Sequence, residues 1–270
     1  MMEIALAFLA GLLIGSFLNV CVYRLPRDLS VASPARSFCP FCEHTIAWYD
    51  NIPVVSYILL RAKCRHCGAR IPLRYPIVEL ATAAAFAVVV AVFGVTLPAL
   101  KYAIFSAILI TLIASDLEER ILPDEFTVGG SALALILAWF VPMRQEFILF
   151  VMPYSWGPHW LSLGEALIGG GVSSGFIWLC GWLYEKFRHR EGLGFGDVKM
   201  IFMIGAFLGL PGALLTLIAG SLIGAVGGVI YVRIAGEDAA TYELPFGSFL
   251  GLAALAVAAY GEYFERMHPH

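Results

Sequence analysis

Residues 77–115 read IVELATAAAFAVVVAVFGVTLPALKYAIFSAILITLIAS. A helix crosses the hydrocarbon core of a bilayer with about 20 mostly apolar residues. This run is about twice that length, and only Glu79 and Lys101 put charge into it. Gly94 and Pro98 supply a natural break, so the run reads as two spans, roughly 77–94 and 98–115. Working outward, residues 4–23 (IALAFLAGLLIGSFLNVCVY) form a span before it. Glu3 stands where a secretory signal would carry positive charge and no A-x-A site follows, so this first span reads as retained. Further spans are expected near 125–141 and 163–184. Residues 198–232 break at Leu210-Pro211-Gly212 into a shorter sixth and a seventh span, and 244–261 make an eighth.

Composition agrees with that count. Of 270 residues, 60% are hydrophobic and 14% charged, against about 45–50% and about 25% in a soluble domain. A cytosolic enzyme, a disordered chain and a charge-driven nucleic-acid binder are excluded. The net charge of -3 points to no polyanionic partner. The 27 glycines follow no collagen period and suit helices packed closely in a membrane. The alternation of an outer-membrane barrel is absent. The expected fold is an all-α polytopic membrane protein of about eight transmembrane helices, with the lipid bilayer as its surroundings.

Orientation follows from the cationic residues. With the N-terminus outside, 14 of the 17 Lys and Arg fall on the cytoplasmic side. Eight of them lie between Arg24 and Arg74; Arg120, Lys186, Arg188, Arg190, Lys199 and Arg233 complete the set. Only Lys101, Arg144 and Arg266 fall outside. Both chain ends are therefore expected outside, together with an aromatic-rich interfacial loop, 142–162, that carries no evident chemistry. The expected divisions are a first helix at 1–23, a cytoplasmic zinc-binding domain at 24–76, a membrane core at 77–262 and a tail at 263–270.

Four of the six cysteines fall in the loop between the first and second spans, as Cys39-Pro-Phe-Cys42 and Cys64-Arg-His-Cys67. Two C-x2-C pairs with 21 residues between them can set four sulfurs around one tetrahedral ion. On the reducing side of the membrane thiolates bind metal rather than pair as disulfides. A loop this small has little core of its own, so a structural zinc is expected. His44 and His66 flank the pairs and read as surface residues, while Cys21 and Cys180 read as packing residues.

Charge at the end of a span is costly and usually functional. The third span ends in Ser115-Asp116-Leu117-Glu118-Glu119-Arg120, followed by Pro123-Asp124-Glu125. The sixth opens with Gly194-Phe195-Gly196-Asp197-Val198-Lys199. The assumed orientation puts both at the cytoplasmic interface, where Asp116 and Asp197 could share a proton and hold a water. The glycines at 194 and 196 would admit a substrate backbone. The plainer readings are a helix N-terminal charge for Asp197, an N-cap for Asp124 and solvated charges for Glu118 and Glu119. The Gly-x-Gly run lacks the preceding strand that a dinucleotide site needs. A transporter or scaffold with a zinc-stapled loop would also carry paired acids, though not clustered at one interface.

Taken together, these motifs resemble the type 4 prepilin peptidases, the bifunctional leader peptidase/N-methyltransferases of type IV pilus and type II secretion systems. The resemblance rests on Gly15-Ser16-Phe17-Leu18-Asn19, the four cysteines, Trp48-Tyr49-Asp50-Asn51-Ile52-Pro53, Arg74-Tyr75-Pro76 with Glu79, the Asp116 to Asp124 motif, the segment 194–199 and Leu244-Pro245-Phe246-Gly247. It implies a catalytic dyad of Asp116 and Asp197, with Glu118, Asp124, Gly194, Gly196 and Lys199 supporting the peptidase site. It also implies a zinc-bearing loop tied to a methyltransferase half that uses S-adenosylmethionine, whose binding residues the sequence does not locate. The substrates it implies are prepilins or pseudopilins with a basic leader and an apolar helix, handled at the bacterial inner membrane. The four-cysteine loop argues against a peptidase-only member. Glu118 stands where many members have a second Asp, and Ser248 where the family often has Pro; the latter reads as a matter of packing only.

Overall fold

The computed structural model describes residues 1–188, 194–235 and 244–267. Arg190, the Gly192-Leu193 lead-in to the glycine motif and the last three residues of the expected tail lie outside the described residues. Among the described residues the secondary structure is helical, with two isolated bridges and no strand. The chain divides into two compact units, Met1–Ser115 and Asp116–His270, the division falling inside the fourth helix.

In the first unit α1 (Met2–Arg24) packs along α3 (Arg74–Phe93). The reason is visible in the spacing of Gly11 and Gly15. A Cβ on Gly11 would stand 2.5 Å from the Ala83 Cα, and one on Gly15 2.7 Å from the Glu79 Cα. Only hydrogen fits, and the two backbones meet through a small-xxx-small contact of the kind that joins helices in lipid. Asn19, buried on the same face, donates from Nδ2 to the Tyr75 carbonyl at 3.0 Å. The break at 94–98 forms as expected: α3 ends at Phe93, Gly94 takes φ 67, and α4 (Leu97–Glu119) begins one residue before Pro98.

Between α1 and α3 the chain carries a short helix, α2 (Val55–Leu59). Arg24, 3% exposed, organises the entry to this segment. Its Nη1 donates to the carbonyls of Ser30, Val31 and Pro34, and its Nη2 to that of Arg36. A buried guanidinium has to be satisfied on its whole fork, and satisfying it folds residues 30–36 back towards Cys39. At the other end, the buried Glu79 carboxylate accepts the Val54 N–H at 2.8 Å and holds that β-branched residue at φ 61.

In the second unit α7 (Phe195–Ala235) is central, packed by α5 (Asp124–Phe140), α6 (Pro158–Arg188) and α8 (Phe246–Met267). Met200, Ile201, Met203, Ile204 and Phe207 are fully buried, as expected of a helix apolar on every side. The break in α7 falls at Gly209 (φ 74, ψ 177), one residue before the expected Leu210-Pro211-Gly212. The positive-φ glycine kinks the helix, and Pro211 then sits in the first turn of the second half, where its missing N–H costs nothing. Segment 142–162 is more ordered than a bare interfacial loop. The buried Glu165 carboxylate accepts the N–H groups of Phe147 (3.0 Å) and Ile148 (2.9 Å), and Ser162 Oγ accepts from Met143 N–H and donates to Ala138 O.

Among the described residues five helices are long and apolar enough to cross a membrane: Met2–Arg27, Arg74–Phe93, Leu97–Glu119, Pro158–Arg188 and Phe195–Ile230. Helix α5 has 17 residues, and the apolar part of α8 is Phe246–Tyr260.

Candidate active site

In the second unit two helix N-termini meet the two aspartates that the sequence singles out. Asp116 lies in the last turn of α4 and is 5% exposed. Its Oδ2 accepts the Ser248 backbone N–H at 2.6 Å and the Ser248 hydroxyl at 2.7 Å. Ser248 is in the first turn of α8, where N–H groups lack intrahelical partners and attract anions. The same N–H also leans on the Pro245 carbonyl at 3.2 Å. The expectation that Ser248 is a matter of packing is therefore corrected: it is the polar partner of Asp116.

Asp197 is half-buried in the first turn of α7 and lies within Coulombic range of Asp116. Leu122 closes the arrangement. A Cβ on Gly196 would stand 3.3 Å from the Leu122 Cβ; one on Gly247 would stand 3.0 Å from the Leu122 Cδ1 and 3.3 Å from the Asp116 Cγ. The residues beside Asp197 and beside Ser248 thus rest on one side chain, and a larger residue at either position would press on Leu122. Gly196 faces Leu122 rather than open space, so its smallness serves packing within the chain and not only access for a substrate. Gly194 has the Asp197 Oδ2 as its neighbour, 3.5 Å from where its Cβ would be.

Asp124 is the first residue of α5, with Pro123 at the N-cap position and no side-chain cap. Its carboxylate pairs instead with Lys199 Nζ, at 2.6 and 2.9 Å. The N-cap reading of Asp124 is corrected: a full positive charge one turn into α7 outcompetes a backbone N–H. The pair fixes the start of α5 against the start of α7. Glu118 is exposed, and a residue two positions from Asp116 on a helix does not share its face. The structure brings together Asp116, Asp197, Asp124, Lys199, Gly194 and Gly196, and leaves Glu118 turned away. Leu122 and Ser248 were missed. A serine in the first turn after a Pro-Phe-Gly helix start was the available signal for the second; nothing marks Leu122.

The first unit holds the cysteines. The bridges Phe38–Thr45 and Lys63–Arg70 make each C-x2-C pair the tip of a small hairpin. The two tips repeat one pattern. Cys39 N–H donates to His44 O and Cys64 N–H to Ala69 O, while Glu43 and Gly68 donate back to the carbonyls of Cys39 and Cys64. Glu43 (φ 55) and Gly68 (φ 72) hold the same left-handed turn. The four Sγ atoms lie within 4.8 Å of one another, with Cys39 and Cys67 at 3.8 Å. A tetrahedron of sulfurs about 2.3 Å from a zinc has edges of roughly 3.8 Å, so the donor set fits one such ion. The N–H groups of Cys67 and His66 point at Cys64 and bring its thiol down to about 7. At Cys42 the His44 N–H pulls the same way, but desolvation and the neighbouring thiols raise it to about 11. The Cys64 thiolate forms readily while Cys42 resists, a conflict a cation removes. His44 and His66 are exposed, as expected, and stack on each other at 3.5 Å between ring centroids, joining the two tips. Arg65 clasps Asp50 through two hydrogen bonds (2.7 and 2.6 Å) and holds its carboxyl below the usual range.

Comparison with known proteins gives the family. Residues 9–93 match the Bacterial Peptidase A24 N-terminal domain, and residues 103–229 match the Type IV leader peptidase family. The chain belongs to the type IV leader peptidase family. A prepilin leader peptidase/N-methyltransferase of Pseudomonas aeruginosa is 34% identical over 96% of this chain and 91% of its own length. One of Burkholderia pseudomallei (strain 1026b) is 33% identical over 97% and 87%, and one of Aeromonas hydrophila 32% over 98% and 93%. No solved structure matches. The family's N-terminal domain contains the cysteine cluster, and its peptidase domain contains both aspartates.

Proposed function

We propose that this chain is a membrane aspartyl endopeptidase that removes the basic leader from type IV prepilins or pseudopilins and then N-methylates the new N-terminus. The observation that carries the peptidase reading is the pair of aspartates at two helix N-termini, Asp116 under Ser248 and Asp197 beside it in the fold, within a family matched over nearly the whole chain.

In this reading Asp116 and Asp197 share one proton. One carboxylate takes a proton from the attacking water, the new C–O bond forms at the scissile carbonyl, and the other carboxyl gives its proton to the departing amine as the C–N bond breaks. The Lys199–Asp124 pair keeps the starts of α5 and α7 in register and supports the dyad. Glu118, with Glu119 and Glu125, belongs to an acidic rim that attracts a basic leader.

Cys39, Cys42, Cys64 and Cys67 hold one zinc in a closed site of four thiolates, which leaves no position for substrate and makes the metal structural. S-adenosylmethionine is the methyl donor and supplies the transferred methyl group when bound. Among the described residues there is no strand to carry a dinucleotide-type fold, and no residue is assigned to the donor. The working division is a first helix at 1–23, the zinc domain at 24–76, the membrane peptidase core at 77–262 and a tail at 263–270. The long helices α1, α3, α4 and α6, together with α5, α8 and the two halves of α7, are taken as the spans, making eight. The cationic residues put the N-terminus outside, and the zinc loop and both aspartates on the cytoplasmic side of the inner membrane.

Purified protein with a synthetic prepilin tests this reading by mass spectrometry. Leader removal is expected with or without S-adenosylmethionine, and methylation only with it. An intact prepilin after incubation with folded protein contradicts it.

A further inference from the structure

Helix α2 is inside out. Its one buried residue is a serine: Ser56 Oγ accepts the Ile52 N–H at 3.0 Å and donates to the Tyr49 carbonyl at 2.9 Å. Its aliphatic residues point the other way. Val55, Ile58 and Leu59, three and four positions apart, share one face, and all are exposed, Ile58 at 66% and Leu59 at 75%. Trp48, Tyr49 and Ile52 are exposed just ahead of them. A helix on the surface of a protein in water turns its apolar face inward. We propose that α2 and the residues before it form an interfacial anchor. The apolar face enters the bilayer leaflet beside α3, and Arg61, Lys63 and Arg70 bind anionic lipid headgroups there. The inference rests on α3 being a membrane span and on neither chemical activity.

Depth comes from Glu79. Its carboxylate accepts the Val54 N–H at 2.8 Å, which ties the N-cap residue of α2 to the second turn of α3. From Arg74, where α3 starts, to Glu79 is about 7 Å along the helix axis. An amphipathic segment lying on a membrane reaches about 5–10 Å into the boundary between headgroups and acyl chains. Ile77 and Leu80, on either side of Glu79 in sequence, are exposed aliphatics of α3 at the same level. Trp and Tyr collect at the same boundary, as Trp48 and Tyr49 would here.

Charge names the lipid. Between Ile52 and Arg74 the sequence holds Arg61, Lys63, Arg65, Arg70 and Arg74, and no acid. Arg65 is clasped to Asp50. Arg61, Lys63 and Arg70 are exposed, and the Lys63–Arg70 bridge sets the last two opposite each other across a hairpin. Cations at a membrane surface attract anionic headgroups. The same charge repels a basic leader, so the leader of a prepilin is the wrong occupant for this face.

The test uses full-length protein in nanodiscs of mixed phosphatidylcholine and phosphatidylglycerol. A dansyl amino acid is encoded in place of Ile58 or, as the reference, Ile77, so no cysteine is touched. Either lipid can carry a nitroxide on its acyl chain just below the headgroup. The Ile58 label should be quenched by the nitroxide, as the Ile77 label is, and shielded from aqueous iodide. Nitroxide on phosphatidylglycerol should quench it at least about twofold more than nitroxide on phosphatidylcholine. The Arg61→Gln/Lys63→Gln/Arg70→Gln variant should lose that preference and keep the shielding. A label at Ile58 that iodide quenches and nitroxide does not overturns the inference. A label shielded from both shows that protein, a second copy or another partner, covers the face, and overturns it too. Equal quenching by the two lipids, or a preference that survives in the triple variant, removes the anionic headgroup and overturns the inference as stated. No nitroxide quenching at Ile77 removes α3 as a span at this depth, and the inference with it. None of these readouts depends on cleavage or methylation, so a failure here leaves the proposed activities standing.

Discussion

Asp116 and Asp197 are not equivalent as residues. One is pinned by two donors and buried; the other is half-exposed at the start of its helix. In both, a carboxamide keeps the shape and loses the titratable oxygen. Asp116→Asn and Asp197→Asn should therefore each slow leader cleavage by at least about a hundredfold, with zinc content unchanged, as measured by peptide turnover and elemental analysis. Asp124→Asn and Lys199→Met should cost much less, because they break a partly exposed ion pair rather than remove a reacting group. Since the two residues act as one contact, the double variant should be no slower than the slower single variant. Sequence marked both aspartates because each sits at the end of an apolar run and within a motif of the family, although Asp197 alone also reads as a helix N-terminal charge. It could not mark Ser248 or assign Asp124 its partner. Those roles depend on which helix starts face each other, and no local pattern encodes that.

At the scale of elements, two devices do most of the positioning. The α1–α3 contact relies on Gly11 and Gly15, and its spacing was visible as an excess of glycine but not as a particular pair. Gly15→Leu should force the helices apart, because its Cβ would fall 2.7 Å from the Glu79 Cα. The expected result is lower detergent-solubilised yield and a lower unfolding midpoint. The cysteine hairpins are the second device, and their spacing alone announced them. Cys64→Ser should release metal and make residues 39–67 susceptible to protease, because metal binding and folding are coupled in units this small. Methylation should suffer more than cleavage, since both aspartates lie in a different compact unit from the cysteines. The kink in α7 was legible to within a residue, since Pro and Gly together rarely continue a helix. The order within 142–162 was not, because the buried Glu165 that holds it reads in sequence like any acid near the start of a span.

For the whole molecule, composition fixed the class, an all-helical membrane chain, and the cationic residues suggested a direction. A reporter inserted after Ser155 should be active only if it works outside the cytoplasm, and one inserted after Leu29 only if it works inside; the reverse pattern would invert the topology. The central claim is that one chain cuts prepilins with an aspartate pair and then methylates the product. The most direct test is mass spectrometry of a synthetic prepilin incubated with S-adenosylmethionine and wild-type protein, Asp116→Asn or Asp197→Asn, each at matched zinc content. The wild type should yield a leader-free, singly methylated product. Each variant should leave the prepilin intact yet still methylate a pre-cleaved peptide. Leader removal at the wild-type rate by either variant would contradict the account.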